Sequence, residues 1–231
     1  LATLCDLSIE RTAITPDGVT RLHAALPLCR IRSDGGIIEP TDTRDLALFF
    51  DGRNDYVDLP FTCPAWTPLT IEAWITTAGA NDYQEILQSY DGYAAGLGTA
   101  LTTELLPGAG VIESSKWQLA RSTTTVSVSV PTHIAGVFDG HQMRLFIDGK
   151  LQATSPILQQ PFVPSKNTFR IGMGYGDPRL QPFRGLIDEV RISTAARYET
   201  DFVPRRRVAT DDQTIGLYHC DEPEPGVLRD S

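Results

Sequence analysis

No apolar run in this chain approaches the about 20 residues that a membrane-spanning helix needs, and its first residues carry no signal-peptide pattern. Membrane insertion is therefore not expected. The chain opens on Leu1 rather than Met, as a mature or excised segment would. Basic charge is scarce: 20 Lys and Arg stand against 29 Asp and Glu, for a net charge of −9. Binding phosphates requires a basic surface, so no nucleic-acid partner is expected. The one basic cluster, Arg205-Arg206-Arg207 after Pro204, reads as a solvated loop. No C-x-x-C pair occurs among Cys5, Cys29, Cys63 and Cys220, which speaks against a zinc site or a redox motif. These four cysteines allow three disulfide connectivities. Cys5 and Cys29 lie equidistant from Asp17 in the run Thr15-Pro16-Asp17-Gly18, which reads as a hairpin turn. The apolar faces on either side disagree with that pairing unless a bulge near Pro27 shifts one strand. Helix signals are nearly absent; Thr194 to Tyr198 offers one turn.

What the chain does have is β texture. Short apolar or alternating runs recur between Gly, Pro, Asn and Asp. Residues 133–153 read as three antiparallel strands joined at Asp139-Gly140 and Asp148-Gly149, both strong hairpin signals. In the middle strand Met143, Leu145 and Ile147 share one face, Arg144 and Phe146 the other. Residues 70–76 form another strand, with Ile71, Ala73 and Ile75 opposite Glu72 and Trp74. Residues 121–130, rich in Ser, Thr and Val, alternate like a strand with one wet face. Residues 78–116 are the least regular stretch and read as short strands and long loops, where binding surfaces usually live. No low-complexity linker splits the chain, which favours one globular unit.

The run GLIDEVRI, residues 185–192, carries a specific puzzle. Simple alternation puts Leu186, Asp188, Val190 and Ile192 on one face, with Glu189 and Arg191 on the other, towards water. Three aliphatic residues mark the first face as buried, so Asp188 is expected at or inside an apolar layer. A buried carboxylate needs compensation. Either it binds a cation or it accepts hydrogen bonds from nearby backbone N–H groups.

Taken in order, LFFDGRNDYVDLP (48–60), LTIEAWI (69–75), HIAGVFDGHQMRLFIDGKLQA (133–153), FRIGMG (169–174) and FRGLIDEVRIST (183–194) resemble laminin G-like domains of the concanavalin A-like lectin and glucanase superfamily. The resemblance covers roughly residues 46–200. It implies an all-β fold, a jelly-roll β-sandwich of two curved antiparallel sheets, in agreement with the strand pattern. Domain organisation is then residues 1–45 as unmatched N-terminal strands or extension, and 46–231 as the laminin G-like domain. Pro131 stands where most relatives carry Trp, and Cys220 where an aromatic residue is usual. The closing segment TIGLYHCDEPEPGVLRDS (214–231) either completes this domain's own sheet or begins a following tandem copy. The resemblance also implies a structural calcium ion at the domain rim. Asp188 would give one carboxylate, Asp51 or the Gly52 carbonyl a second ligand, and Asp55 a weaker one; hard oxygen donors suit calcium.

Glucanases of this superfamily carry Glu-x-Asp-x-x-Glu on one strand. Around Asp188 the flanking positions hold Leu186 and Arg191, so two of three acids are missing and enzyme activity is not expected. The leading expectation is a carbohydrate-binding, lectin-like or adhesion module of a larger extracellular or cell-surface protein, its partner a glycan or another surface protein. The alternative is a structural or protein-interaction spacer; a glycosidase-related enzyme is remote. Aromatic rings stack on sugars while polar groups bond hydroxyls. The candidate ligand residues are Tyr90, Tyr93, Trp117, Asp82, Tyr175, Asp177 and Arg179, with Tyr83, Asn81 and Asp91 near them in sequence.

Overall fold

The computed structural model describes residues 6–25, 30–38, 46–64, 68–79, 82–91, 96–175, 180–221 and 228–230. Cys5 and Cys29 lie outside these residues, and with them the one pairing that the spacing about Asp17 raised. The chain divides into two compact units, Leu1–Leu46 and Ala47–Ser231. Among the described residues no helix is long and apolar enough to cross a membrane.

The first unit holds β1 (Asp6–Ser8), α1 (Pro16–Ala25), β2 (Arg30–Ser33) and β3 (Gly36–Ile38). The expected hairpin turn at Thr15–Gly18 is instead the start of α1. Thr15 Oγ1 accepts the Gly18 N–H at 3.2 Å, Pro16 takes the first helical position and Asp17 sits in the first turn. A turn and a helix N-terminus use the same residues for the same reasons, which is why the sequence misleads here. The outcome is a crossover: β1 pairs with β2 in parallel, and β3 adds antiparallel. Val19 and Leu22, three residues apart on α1, pack against Ile9 and Ile31.

The second unit is a sandwich of two antiparallel sheets. One has six strands, in the order β10 (Lys116–Arg121), β9 (Pro107–Glu113), β8 (Gly96–Leu101), β7 (Gln84–Tyr90), β14 (Thr168–Ile171), β5 (Val57–Thr62). The other runs β13 (Lys150–Thr154), β12 (Met143–Ile147), β11 (Thr132–Phe138), β6 (Leu69–Thr77), β15 (Arg184–Ser193), β16 (Thr214–Tyr218), with β4 (Leu48–Asp51) also on β15. Between the sheets lies one apolar core that includes Phe50, Leu59, Ile71, Ile75, Leu145, Phe169 and Ile187. The alternations expected for β6 and β12 hold. Both hairpins form, with positive φ at Gly140, Asp148 and Gly149.

Two stretches depart from expectation. Residues 78–116 are mostly regular, supplying β7, β8 and β9. Residues 122–131 are irregular, because the Ser122 hydroxyl accepts the Thr124 N–H at 2.8 Å and turns the chain locally.

The strand β15 resolves the puzzle of Asp188. Glu189 adopts φ +49°, and the pairing with β6 slips between Asp188 and Arg191. This bulge resets the alternation. Ile187, Val190 and Ile192 all reach the core, Leu186 is 37% exposed, and Asp188 is half-buried with one oxygen on the Glu189 N–H at 2.8 Å. Glu189 and Arg191, expected in water, are buried instead.

What buries them is the segment 194–213, which straps the outer face of the seven-stranded sheet. Phe202 lies on Tyr198 with ring centroids 3.5 Å apart and meets Phe146 and His133 edge-on. Glu72 anchors the arrangement. Arg191 donates to it at 2.7 Å, the Tyr198 hydroxyl at 3.0 Å, and His133 Nε2 lies 3.1 Å away. Burial pushes the Glu72 carboxyl up, but the His133 hydrogen bond and the Arg191 charge outweigh it and hold the group below its ordinary value. Glu189 accepts the Val208 N–H and sits 2.7 Å from His219 Nδ1. The basic triplet is part of the strap and not a free loop. Arg206 lies over Trp74, the Arg205 carbonyl accepts the Trp74 indole N–H, and Arg207 bonds Asp221. There is no helical turn at 194–198.

The closing segment pairs with β15 in this domain's own sheet. Leu217, Tyr218 and Cys220 are each at most 3% exposed. Deleting residues 212–231 should therefore cost several kcal/mol, at about 1.5–3 kcal/mol per side chain exposed. An unchanged melting temperature in the truncated protein would contradict that packing.

Candidate functional site

With one outer face strapped, the outer face of the six-stranded sheet is the open one. Its residues follow from alternation around the core positions. On β5 and β14, Leu59, Phe169 and Ile171 point inward, which turns Asp58 and Arg170 outward. On β7 both Ile86 and Leu87 reach the core because the pairing with β8 slips there. Glu85, Gln88 and Tyr90 therefore share the outer face.

Across β8 and β9 that face carries small residues, Gly96, Gly98, Ala100, Gly108 and Gly110, until Ile112, which pairs with Trp117. Register aligns Glu85 with Ala100, Gly108 and Arg121; Gln88 with Gly98, Gly110 and Leu119; and Tyr90 with Gly96. β7 and β10 are three strand spacings apart, about 14 Å, yet the Tyr90 and Trp117 rings meet edge-on with centroids 5.5 Å apart. They can do so because the strands between present glycine. A Cβ on Gly110 would lie 2.6 Å from Leu119 and 3.1 Å from Trp117, and one on Gly98 would lie 2.8 Å from Gln88. The result is a strip of small residues beside an aromatic wall: Gln88, Leu119 and Trp117 lie over Gly98 and Gly110, which are buried, while Ala100 and Gly108 stay partly exposed.

Tyr175 extends that wall, edge-on to Tyr90 at 6.4 Å. The Arg170 guanidinium lies between Tyr56 and Tyr175, 4.0 and 3.9 Å from their ring centres, and grips Asp58 with two bonds of 2.7 and 3.0 Å. The Arg170 hydrogen bond holds the Asp58 carboxyl below its usual range. Burial raises the Tyr175 phenol, whose hydroxyl donates to Asp58 at 3.0 Å. Gly174 lies over this cluster: a Cβ there would meet the Tyr90 hydroxyl at 2.7 Å and Glu85 Cγ at 3.4 Å.

Glu85 is 8% exposed, and burial alone pushes its carboxyl up to about 8. Gln88 is fully buried; its Nε2 donates to the Met173 carbonyl, and its Oε1 has no partner among the described residues.

The structure thus brings together three of the residues singled out from sequence, Tyr90, Trp117 and Tyr175. Tyr93, Asp177, Arg179 and Asn81 lie outside the described residues. Asp82 does not join the group. It caps its own turn through the Tyr83 N–H, eight residues from Tyr90 and about 25 Å along the strand. Glu85, Gln88, Arg170, Asp58 and Tyr56 were missed. Alternation around Phe169 and Leu59 points to Arg170 and Asp58, whereas the β7 bulge hides Glu85.

The proposed metal ligands separate. Asp51 pairs with Arg184 and Asp188 with Trp74, so the two stand four residues apart along β15, about 13 Å, too far to share an ion. Asp51 and Asp55 do share a turn: Asp55 Oδ2 accepts the Asp51 N–H at 2.7 Å and Asp51 Oδ1 the Arg53 N–H at 2.8 Å, around Gly52 at φ +81°. Among the described residues no three His, Cys, Asp or Glu side chains gather closely enough to hold a metal. A second concavity of about 360 Å³ lies by Phe138, His141, Leu158, Gln159 and Phe162, and none of its side chains leaves a buried polar atom unmatched.

A laminin G model described as the concanavalin A-like lectin/glucanases superfamily matches residues 51–201. The chain belongs to that superfamily. Among solved structures it resembles a candidate carbohydrate-binding protein from Bacteroides ovatus ATCC 8483, with 22% identity and a TM-score of 0.65 over 80% of this chain and 55% of that one. It also resembles the heptameric SAP-like pentraxin of Limulus polyphemus, with 15% identity and a TM-score of 0.55 over 68% and 80%. A third is domain 4 of AbnA, an extracellular GH43 arabinanase of Geobacillus stearothermophilus solved with arabinotriose, with 19% identity and a TM-score of 0.52 over 73% and 75%. At these identities the likeness is one of fold. No curated protein sequence matches the chain.

The raised Glu85 carboxyl has a consequence for stability. The folded protein keeps this proton to about pH 8, whereas an unfolded chain releases it near 4.5. The contribution is full below about pH 4.5 and is lost as pH rises towards 8. Glu85→Gln should melt higher than wild type at pH 7–8, by about 2–4 °C per kcal/mol relieved, and alike at pH 4. Equal melting at both pH values would contradict the burial.

Proposed function

We propose that this domain is a non-catalytic carbohydrate-binding module that takes sugar on the outer face of its six-stranded sheet. The observation that carries this reading is the meeting of Tyr90, Trp117 and Tyr175 on that face, beside the partly exposed Ala100 and Gly108. Aromatic rings next to a strip of small residues give a sugar a surface to stack on and room to approach the sheet. Tyr175 and the Arg170–Asp58 pair supply polar edges for hydroxyls. The absence of glutamates at Leu186 and Arg191 fits a binder better than a hydrolase. The fold's likeness to a domain solved with arabinotriose supports the class, and an extracellular or surface setting accords with it.

A glycan array tests this directly. Defined hits are expected for the wild type, and Trp117→Ala should weaken them at least about tenfold, the scale of one lost stacking contact. A blank array would favour the adhesive or spacer reading. One observation speaks for that second reading: Phe49 and Leu186 are cross-strand partners, 69% and 37% exposed, on the outer face of β4 and β15.

Calcium belongs to the Asp51–Asp55 turn in this proposal, with Asp188 no longer among its ligands. Each of the two carboxylates uses one oxygen on the turn's backbone and keeps the other for an ion. Bound only to the folded state, calcium would raise the melting temperature over that in chelator, and Asp55→Asn would remove the difference. Identical melting of the wild type in both conditions would eliminate the ion.

A further inference from the structure

The Glu85 carboxyl and the Oε1 of Gln88 have no bonding partner among the described residues, and this inference rests on the sugar-binding reading above. Glu85 makes no side-chain hydrogen bond or ion pair among the described residues, and only burial acts on its carboxyl. The Oε1 of Gln88, on the same face of the same strand, is likewise unmatched. Leaving such groups unpaired costs a fold stability unless something from outside bonds them. Glu85 stands next to Ala100 and Gly108, which are partly exposed, whereas Gln88 and its neighbour Gly98 are buried behind it. A ligand lying over Ala100 and Gly108 would meet the edge of Glu85 first.

The charges around them narrow the class of ligand. From β14 and β5, Arg170 and Asp58 face this region as a bidentate pair and cancel. From the segment above, Tyr175 gives its hydroxyl to Asp58, and Gly174 covers Glu85 with backbone alone. From β10, Arg121 stands at the far end of the Glu85 row, exposed and about 14 Å away by strand spacing. Glu85 itself stays protonated at neutral pH. Among the described residues this region is therefore without net charge. Its accessible edge offers the Glu85 carboxylic acid, which both donates and accepts, with the Gln88 amide behind it.

We infer that the Glu85 acid, backed by Gln88, selects a neutral, hydroxyl-rich sugar over an acidic one. A sugar hydroxyl over Ala100 and Gly108 can exchange bonds with the Glu85 acid. A sugar carboxylate laid on the same spot brings only acceptors to an oxygen-lined surface, where the nearest described cation, Arg170, is already taken by Asp58.

The test is calorimetric titration of the full chain with neutral hexose and pentose oligosaccharides and with uronic- or sialic-acid-bearing ones. Wild type, Glu85→Gln, Glu85→Leu and Trp117→Ala are compared. Neutral sugars should bind the wild type. Glu85→Gln, which keeps a donor and an acceptor, should hold affinity within about threefold. Glu85→Leu should lose about tenfold or more while melting no lower than wild type, so misfolding does not explain the loss. If Glu85→Leu binds like the wild type while Trp117→Ala does not, the inference falls and the sugar-binding reading stands. A preference for acidic sugars, lost on Arg121→Ala, overturns the inference in the same way. A wild type that binds no sugar overturns the reading and the inference together.

Discussion

One buried carboxylate decides which face of this sandwich is free. A two-sheet sandwich has two outer faces, and Glu72 stands in the middle of one of them. Charged groups are not left alone at 3% exposure. Glu72 collects Arg191, the Tyr198 hydroxyl and His133, and Tyr198 belongs to the strap. A hydrogen bond to such a buried charge contributes about 1.5–3 kcal/mol, and the Tyr198 bond holds the strap to the sheet by that amount. The Arg197–Asp211 bidentate pair and Glu189 on Val208 N–H tie the same segment further along. The bulge at Glu189 is part of this device, since it turns Glu189 and Arg191 towards the strap while Val190 and Ile192 keep the core.

The opposite face is built on the reverse principle. There the sequence removes side chains instead of adding a cover. Gly98, Gly108 and Gly110 lie on the outward positions of the two inner strands, while Leu97, Ala109 and Val111 fill the inward ones. Each glycine in a strand costs packing and conformational entropy. Three on one face, flanked by Trp117 and Tyr90, make a surface shaped for something other than its own core. Glu85, without a side-chain partner among the described residues, points the same way. A protein optimised only for stability would not keep a buried acid that weakens it as pH approaches 8, and such costs concentrate at functional sites.

Much of the scaffold was legible in the sequence. The Asp-Gly hairpins fixed the β11–β12–β13 meander, and the alternation of Ile71, Ala73 and Ile75 gave β6 its inward face. The motif order gave the sandwich, and the closing strand took the first of the two places left open for it, pairing in this domain's own sheet. What escaped were features that break period two. The bulge in β15 inverted the reading of Asp188, Glu189 and Arg191. The bulge in β7, with glycine-rich neighbours lacking apolar alternation, made the strands of the candidate site look like loops. The Thr15-Pro16-Asp17-Gly18 run was ambiguous because a turn and a helix cap are chemically the same at that length. Tyr90, Trp117 and Tyr175 could be listed from sequence, but their meeting required the strand order, in which two strands lie between β7 and β10.

The claim that the face of Tyr90 and Trp117 takes sugar, and the strapped face does not, is tested most directly by two indole N–H resonances. Trp117 stands on the first face and Trp74 under the strap, where its indole donates to the Arg205 carbonyl at 3.0 Å. Titration with a bound oligosaccharide, followed by ¹H–¹⁵N correlation spectra, should move the Trp117 indole signal saturably and leave that of Trp74 in place. Movement of Trp74 with a stationary Trp117 would put the ligand on the other sheet and contradict the account.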